Sequence, residues 1–326
     1  MKVGIYESKI LHTREIEEIL AQHNIESFRV TTSNIKSDYI ITLGGDRGLR
    51  NYFHDVVHLA TPILGIAESD SNEIITQISL KNFHTLLPRL KKKNYHTEHV
   101  PSIDVTIDDK NTFHVLNDFA IFPSKSAVMM EHTLSINDQN VWHDSGDGII
   151  VSTPLGSSAY SMSAGGPMLF QDSKVFGIVP VNSIDVTRRP LVVSDSSTVL
   201  IDDIYSSIHC DVVLDGIRRV VVKNKVVCTK STPRHLVRFD KKATTISVLA
   251  KKVQLADDLL KMPPSFKLLL KTLEYEGQLT KKELSAKTLL PDRTIRLALS
   301  HLVSKGYIRR KLSQRDGRQR IYETIL

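Results

Sequence analysis

The feature that most restricts the fold is a change of rhythm partway along the chain. Over the first 66 residues, short apolar runs alternate with amphipathic stretches: Lys2 to Tyr6, then Ile16, Ile19 and Leu20 on one helical face behind a capping Thr13. Tyr39 to Leu43 runs straight into Gly44-Gly45-Asp46, and a helix-like segment with Phe53, Val56, Val57 and Leu59 leads to Pro62 to Ile66. This alternation predicts a small parallel α/β domain whose ligands sit beyond the carboxyl ends of the strands. After a helical stretch near Phe83 to Leu90, strand follows strand: Ile103 to Ile107, Phe113 to Phe122, Ala127 to Ile136, Gly148 to Val151, Leu191 to Ile201, Val212 to Val227 and Thr244 to Leu249. One helix, at about Ser157 to Ala164, interrupts them. The expected organisation is an α/β subdomain over 1–100, a β-rich subdomain over 101–250, a connector over 251–264 closed by Pro263-Pro264, and a tail over 265–326.

Charge separates the tail from the rest. The 326 residues carry a net charge of +7, yet residues from Lys261 onward hold 15 Lys and Arg against 6 Asp and Glu, so the first 260 are slightly acidic. A basic module on a near-neutral body suggests a polyanionic partner for the small part. With 41% hydrophobic residues, no run of about 18 apolar residues and an N-terminus that becomes charged early, a cytoplasmic protein without membrane attachment is expected. Cys210 and Cys228 are too few for a disulfide framework or a Cys-rich zinc site, and no metal is assigned.

The tail reads as helix, helix, helix, hairpin. Phe266, Leu269, Leu270 and Leu273 form one stripe ended by Gly277, and Thr280 with Glu283 makes a capping box. Pro291 opens a third helix whose Ile295, Leu299, Leu302 and Val303 pack, while Arg293, Arg296 and Ser300 fall elsewhere. Two β-compatible arms then flank Asp316-Gly317 and carry Arg309, Arg310, Lys311, Arg315, Arg318 and Arg320. TIRLALSHLVSKGYIRRKL and RDGRQRIYE make this segment resemble winged-helix transcriptional regulators of the MarR-like type. The resemblance implies double-stranded DNA as partner, with the third helix in the major groove and wing arginines on phosphates or in the minor groove.

The most specific text is Gly146 to Met168, GDGIIVSTPLGSSAYSMSAGGPM. In a Gly/Ser/Thr-rich strand-to-helix turn, backbone amides face an anion or a ribose without obstruction. As a whole it resembles the NAD kinase family, and the resemblance extends over nearly all of residues 1 to 250: Gly44 to Asp46, Leu116 to Asp118, Arg189-Pro190 and Asp215-Gly216. It implies a dinucleotide lying between an α/β and a β-rich subdomain, in a homo-oligomer, dimer or tetramer. It also implies Asp46 near the 2′-hydroxyl to be phosphorylated, Asn117 and Asp118 at the adenosine ribose, Asp147 as the aspartate of the third motif, and Ser158, Ala159 and Tyr160 at the adenosine. Gly44, Gly45, Ser157 and Ser163 complete the expected binding set.

The departures from the family carry weight of their own. GGDGT becomes Gly44-Gly45-Asp46-Arg47-Gly48, placing a long cation where a glycine lets phosphate approach, and GINxGxLGF becomes Gly65 to Glu73 without its Asn, two glycines and aromatic. Phosphoryl transfer rests on positioning and charge stabilisation, so these changes are expected to weaken it. The reading is therefore an NAD- or NADP-sensing transcriptional regulator, kinase-like but with transfer weak or absent. The alternative is an active NAD kinase using ATP or polyphosphate with Mg²⁺, Asp46 activating the 2′-hydroxyl and the winged helix regulating or oligomerising it. Other features read as structural: His54 and His58 as surface histidines without a third ligand, Trp142 as packing, and Lys91-Lys92-Lys93 as a solvated helix end. Asp144 with Asp147 is a Mg²⁺ pair only if substrate phosphates complete the shell.

Overall fold

The structure, a computed structural model, describes every residue except 8–11, 32–35, 57–60, 68–74, 77, 240–245, 247–248, 251–252, 254–256, 258–260, 313–319 and 325–326, and the side chains of 274, 275 and 312. It divides into two compact units, Met1–Val248 and Leu249–Leu326.

The first unit opens with the expected parallel sheet. Strands β1 (Lys2–Tyr6), β2 (Glu26–Arg29), β3 (Tyr39–Leu43) and β4 (Ile63–Ala67) pair in parallel in the order β2-β1-β3-β4, and the two-residue β5 (Ile78–Ser79) adds to β4. The sheet is completed from far along the chain: β19 (Arg234–Arg238) lies parallel to β4, and β6 (His96–Val100) lies antiparallel to β19. Helices α1 (Thr13–Gln22) and α3 (Leu80–Lys91) bury Ile16, Leu20, Phe83, Leu87 and Leu90 against one face, and α2 (Gly45–Asp55) buries Leu49, Tyr52 and Phe53 against the other. All five residues of β3 are buried, as a strand covered on both faces requires. Thr13 does not cap α1. Glu7 does so from upstream, its carboxylate accepting from the His12 and Thr13 amides at 3.0 Å each.

Two six-stranded antiparallel sheets then form a sandwich. One runs β11-β10-β15-β18-β7-β8 and includes β7 (Ile103–Ile107), β8 (Asn111–Val115), β10 (Met130–Ile136), β11 (Gln139–Gly146), β15 (Val199–Ser206) and β18 (Val226–Lys230). The other runs β14-β13-β12-β9-β16-β17 and includes β9 (Asp118–Pro123), β12 (Gly148–Ser152), β13 (Val175–Val181), β14 (Leu191–Ser194), β16 (Cys210–Leu214) and β17 (Arg218–Val222), with the short helix α4 (Tyr160–Ser163) between β12 and β13. Alternate residues such as Ile103, Val105 and Ile107, or Cys210, Val212 and Leu214, point into the shared core with Phe119, Phe176 and Trp142. Each such side chain contributes about 1.5–3 kcal/mol of burial.

Several long strands of the sequence reading are shorter pairs here. Phe113 to Phe122 is broken at Leu116-Asn117, and Val212 to Val227 becomes three strands, because Asp215 (φ +50°) and Gly216 (φ +67°) turn the chain back in a hairpin. The strand expected at Thr244 to Leu249 is not formed where it is described, since Ile246 and Leu249 are helical.

In the second unit, α5 (Pro264–Glu276), α6 (Lys281–Thr288) and α7 (Asp292–Ser304) pack Leu269, Leu273, Leu284, Ile295, Leu299 and Leu302 together with Tyr307 and Tyr322. Strands β20 (Leu279–Thr280), β21 (Ile308–Leu312) and β22 (Arg320–Thr324) form an antiparallel sheet in the order β20-β22-β21. Pro264 occupies the first turn of α5, where its missing amide costs nothing. The capping box is present: Glu283 N donates to Thr280 Oγ1 at 3.3 Å and Thr280 N to Glu283 Oε2 at 2.7 Å. The expected Asp316-Gly317 turn lies outside the described residues. None of the described helices is long and apolar enough to cross a membrane.

Candidate active site

The site is built where β3 ends. Gly44 (φ +97°) and Gly45 (φ +64°) turn the chain through backbone angles that favour glycine, and α2 begins at once. A Cβ on Gly48 would lie 1.9 Å from the Leu43 carbonyl oxygen, so the helix backs directly onto the strand end. Asp46 sits in the first turn, where a carboxylate is favoured by the helix dipole. Its carboxylate is held by backbone from beyond β4: Ile75 N donates to both oxygens at 3.1 Å, and Thr76 N donates to Oδ1 at 2.7 Å. Arg47, the cation standing where a glycine would let phosphate approach, is an exposed residue of α2. Positive φ falls on Gly44 and Gly45, which match the family motif, and the close approach falls on Gly48, which stands where that motif has Thr.

A second carboxylate joins this helix to the sandwich. Asp215, its side chain fully buried, accepts from the amides of Leu116 (3.0 Å), Asn117 (2.6 Å) and Asp118 (3.3 Å), and its Oδ2 lies 3.0 Å from His54 Nε2. Arg50 ties the same parts together, donating to the carbonyls of Asp46 (3.3 Å) and Asp215 (3.2 Å). The sequence reading missed this junction. It placed His54 at the surface with His58, whereas His54 is buried on α2 against Asp215; His58 lies outside the described residues. The signal available was the polar His54 and Arg50 on the helix that opens at Asp46, together with the Asp215-Gly216 motif.

The break between β8 and β9 presents Asn117 and Asp118 at this junction. Burial, reinforced by the neighbouring Asp215 charge, pushes the Asp118 carboxyl up to about 7, against the opposing pull of Arg50 and the Tyr160 amide. Asn117 Oδ1 is buried without a hydrogen-bond partner among the described residues, so it remains open to a donor. The turn after β12 packs onto Asn117 from the other side. Thr153 N donates to its carbonyl at 2.8 Å, Thr153 Oγ1 donates to the Leu116 carbonyl at 2.8 Å, and a Cβ on Gly156 would lie 1.9 Å from the Asn117 carbonyl oxygen.

The hydroxyls of that turn serve its own backbone. Ser157 Oγ donates to the Pro154 carbonyl at 2.7 Å and accepts from Leu169 N at 2.9 Å, while Ser158 Oγ donates to the Leu155 carbonyl at 3.3 Å. What the turn presents outward is Ala159, half-buried, and the ring of Tyr160, exposed and 5.7 Å from that of Phe122, with Ser163 exposed beyond. Asp147 is not brought to this junction within the chain. It precedes β12, whose Ser152 pairs with Asp118 at the opposite end, about 17 Å away at the usual strand rise. Its carboxylate accepts from Asn182 Nδ2 at 2.7 Å. The neighbouring Asp144, also far from the junction, accepts from Ser183 Oγ at 2.6 Å and lies 3.7 Å from Arg188 Nε. Trp142 packs in the core as expected, with the Arg188 guanidinium 5.3 Å from its ring centre.

Residues 116–238 match the model of the ATP-NAD kinase C-terminal domain. The NAD kinase of Chlorobaculum tepidum is 31% identical over 220 residues, covering 66% of this chain and 76% of that protein. That of Clostridium perfringens strain 13 is 29% identical over 265 residues, covering 76% and 94%. Among solved structures, an NAD kinase from Archaeoglobus fulgidus in complex with ATP superposes with a TM-score of 0.66 at 24% identity, covering 77% of this chain and 98% of that one. A yeast NADH kinase complexed with NADH superposes with a TM-score of 0.68 at 18% identity, covering 78% and 87%. The fold of the first unit, an α/β sheet joined to a β-sandwich, is the fold of these solved kinases. By sequence, the chain belongs to the NAD kinase family.

These findings overturn the reading of the chain as a transcriptional regulator. The relatives are kinases by name, and the glycines that shape the Asp46 turn are intact. DNA as partner is corrected with it. Of the residues expected to touch DNA, Arg296 is paired with Asp292, and Arg309 and Lys311 share the single carboxylate of Glu323. Arg293, Ser300, Arg310 and Arg320 are exposed, and Arg315 and Arg318 lie outside the described residues.

Proposed function

We infer that this chain is an NAD kinase, transferring the terminal phosphoryl group of ATP or polyphosphate to the adenosine-ribose 2′-hydroxyl of NAD to give NADP. The observation that carries the reading is the junction. Asp215, His54 and Arg50 fasten the helix bearing Asp46 to the strand break bearing Asn117 and Asp118, which holds a base and two ribose-binding groups in one frame. In this reading Asn117 Oδ1 and the Asp118 carboxyl take the ribose hydroxyls, and the Tyr160 ring lies against the adenosine. Asp46 accepts the 2′-hydroxyl proton as the oxygen attacks the terminal phosphorus, and the donor leaves as ADP or a shortened polyphosphate. The first-turn amides of α2 and the exposed Arg47 face the phosphates with positive charge.

Mg²⁺ bound to the donor phosphates would spread their charge, and Asp46 is the carboxylate nearest that role. The hydroxyls of Ser157 and Ser158 act in this scheme by shaping the turn. Asp147, remote within one chain, is left for a second copy in a homo-oligomer. The tail, which we read as a winged helix on its helix-strand-helix-helix-strand-strand order, serves as a regulatory or oligomerisation module.

The test is NADP formation by the purified full chain. Turnover on the order of 1–100 s⁻¹ is expected, and Asp46→Asn should lower it by about 10²–10⁴-fold. Absence of NADP with both ATP and polyphosphate would sink the reading.

A further inference from the structure

The Asp46 carboxylate takes its orientation from two amides, those of Ile75 and Thr76. Neither belongs to a strand or helix, so something must hold this short strap in place. Two features do. Thr76 lies over Gly65 of β4, where a Cβ would meet Thr76 Oγ1 at 2.9 Å, so the strap is seated in space that any side chain at 65 would fill. The Ile75 carbonyl, on the opposite side of the peptide chain from the amide that binds Asp46, accepts a hydrogen bond from Arg238 Nη1. Arg238 is itself buried at the end of β19, and its Nε donates to Glu98 Oε2 of β6 at 2.6 Å. An arginine fork is suited to this double duty, because its planar guanidinium serves two acceptors at a fixed angle.

We propose that Arg238, anchored by Glu98, is a positioning residue for the catalytic base: it clamps the Ile75 carbonyl, and the Ile75 and Thr76 amides in turn aim the Asp46 carboxylate. The relay runs from β6 through β19 and the strap to the first turn of α2. Each link is a hydrogen bond between residues at least 29 apart in sequence. Arg238 touches neither nucleotide nor ribose in this scheme. The proposal rests on the kinase reading for its effect on turnover, while the relay itself stands on the hydrogen bonds.

The experiment uses the full chain with Arg238→Lys, which keeps the charge but cannot serve both acceptors, and reads two quantities. Steady-state kinetics should show kcat lowered about 10- to 100-fold, the scale of a small misplacement of a reacting group, with KM for NAD within about twofold. Hydrogen exchange of the peptide containing Ile75 and Thr76 should quicken about tenfold while sandwich peptides stay as in the wild type. Asp46→Asn should quicken the same peptide. Adding Arg238→Lys to it should produce no further change, because both substitutions cut one chain of bonds. Should Arg238→Lys fail to fold, Glu98→Gln releases the anchor more gently and should shift both readouts in the same direction. A folded variant with unchanged kcat and exchange would overturn the proposal, as would faster exchange spread over the whole unit with kcat and KM changing together. If the wild type forms no NADP, the kinase reading falls while the exchange arm still decides the relay.

Discussion

Buried carboxylates are handled differently in the two units. Asp215 in the first is met by three amides and a histidine 161 residues away, whereas Glu323 in the second is met by Arg309, Lys311 and Gln278. Backbone amides cannot be moved without moving the chain, so Asp215 fixes the relative position of three segments. Long cationic side chains can swing to water, so Glu323 mainly offsets the charge of its own hairpin. The first arrangement serves chemistry that needs sub-ångström placement; the second leaves a tail that is basic in composition but partly self-neutralised.

The sharpest way to break this comparison is to remove Asp215. Asp215→Ala leaves three buried amides without an acceptor and His54 without its partner, and should lower the unfolding free energy by about 3–5 kcal/mol, read from urea denaturation. Asp215→Asn keeps the shape and one acceptor and should cost less. An alanine variant within about 1 kcal/mol of the wild type would show that the junction is not held as described.

Next in size is a pH effect confined to the first unit. Asp118, with its carboxyl raised to about 7, binds its proton more tightly folded than unfolded, where a value near 3.9 is usual. The folded state therefore carries the extra proton between about pH 4 and 7, and stability falls as pH rises through that window, by an amount on the order of a few kcal/mol at most. Asp118→Asn should flatten this dependence, leaving the variant at least as stable as the wild type at pH 8. Unfolding midpoints at pH 5 and 8 for both proteins check it, and parallel profiles would remove Asp118 as the source.

Much of this was legible beforehand, for local reasons. Tyr39 to Leu43 running into Gly44-Gly45-Asp46 announced a strand, a tight turn and a helix start, because the turn needs glycine where the chain now shows positive φ. The Gly146 to Met168 text carried the family resemblance. The long-range pairings were harder to read: His54, Arg50 and the Asp215-Gly216 motif each stood out, but nothing in the sequence joins them, and nothing near Ile75 signals Arg238. Sequence shows that Arg47 replaces the glycine expected to let phosphate approach, but not that the turn itself rests on positive φ at Gly44 and Gly45 and on a close approach at Gly48. Nor does the motif show that the Ser157 and Ser158 hydroxyls tie down their own turn.

The smallest effects are expected in the tail, and they are graded by whether backbone is involved. Thr280→Ala removes the oxygen that accepts from Glu283 N and should cost about 1 kcal/mol in the unfolding of the second unit, the usual value for a lost N-cap. Arg296→Ala removes only a side chain paired with Asp292 one turn away, both of them solvent-exposed. Water replaces what such a pair gives up, and salt screens what is left, so no measurable shift in the unfolding midpoint is expected at 0.15 M ionic strength. NADP formation should also be unchanged, since Arg296 belongs to the second unit and the junction to the first. Measuring both at low and at moderate salt sharpens the contrast: a midpoint shift that appears only at low salt marks a surface ion pair. A shift that persists at high salt would show instead that Arg296 contributes through packing of its stem on α7, and the tail would then be less unlike the first unit than its exposed charges suggest.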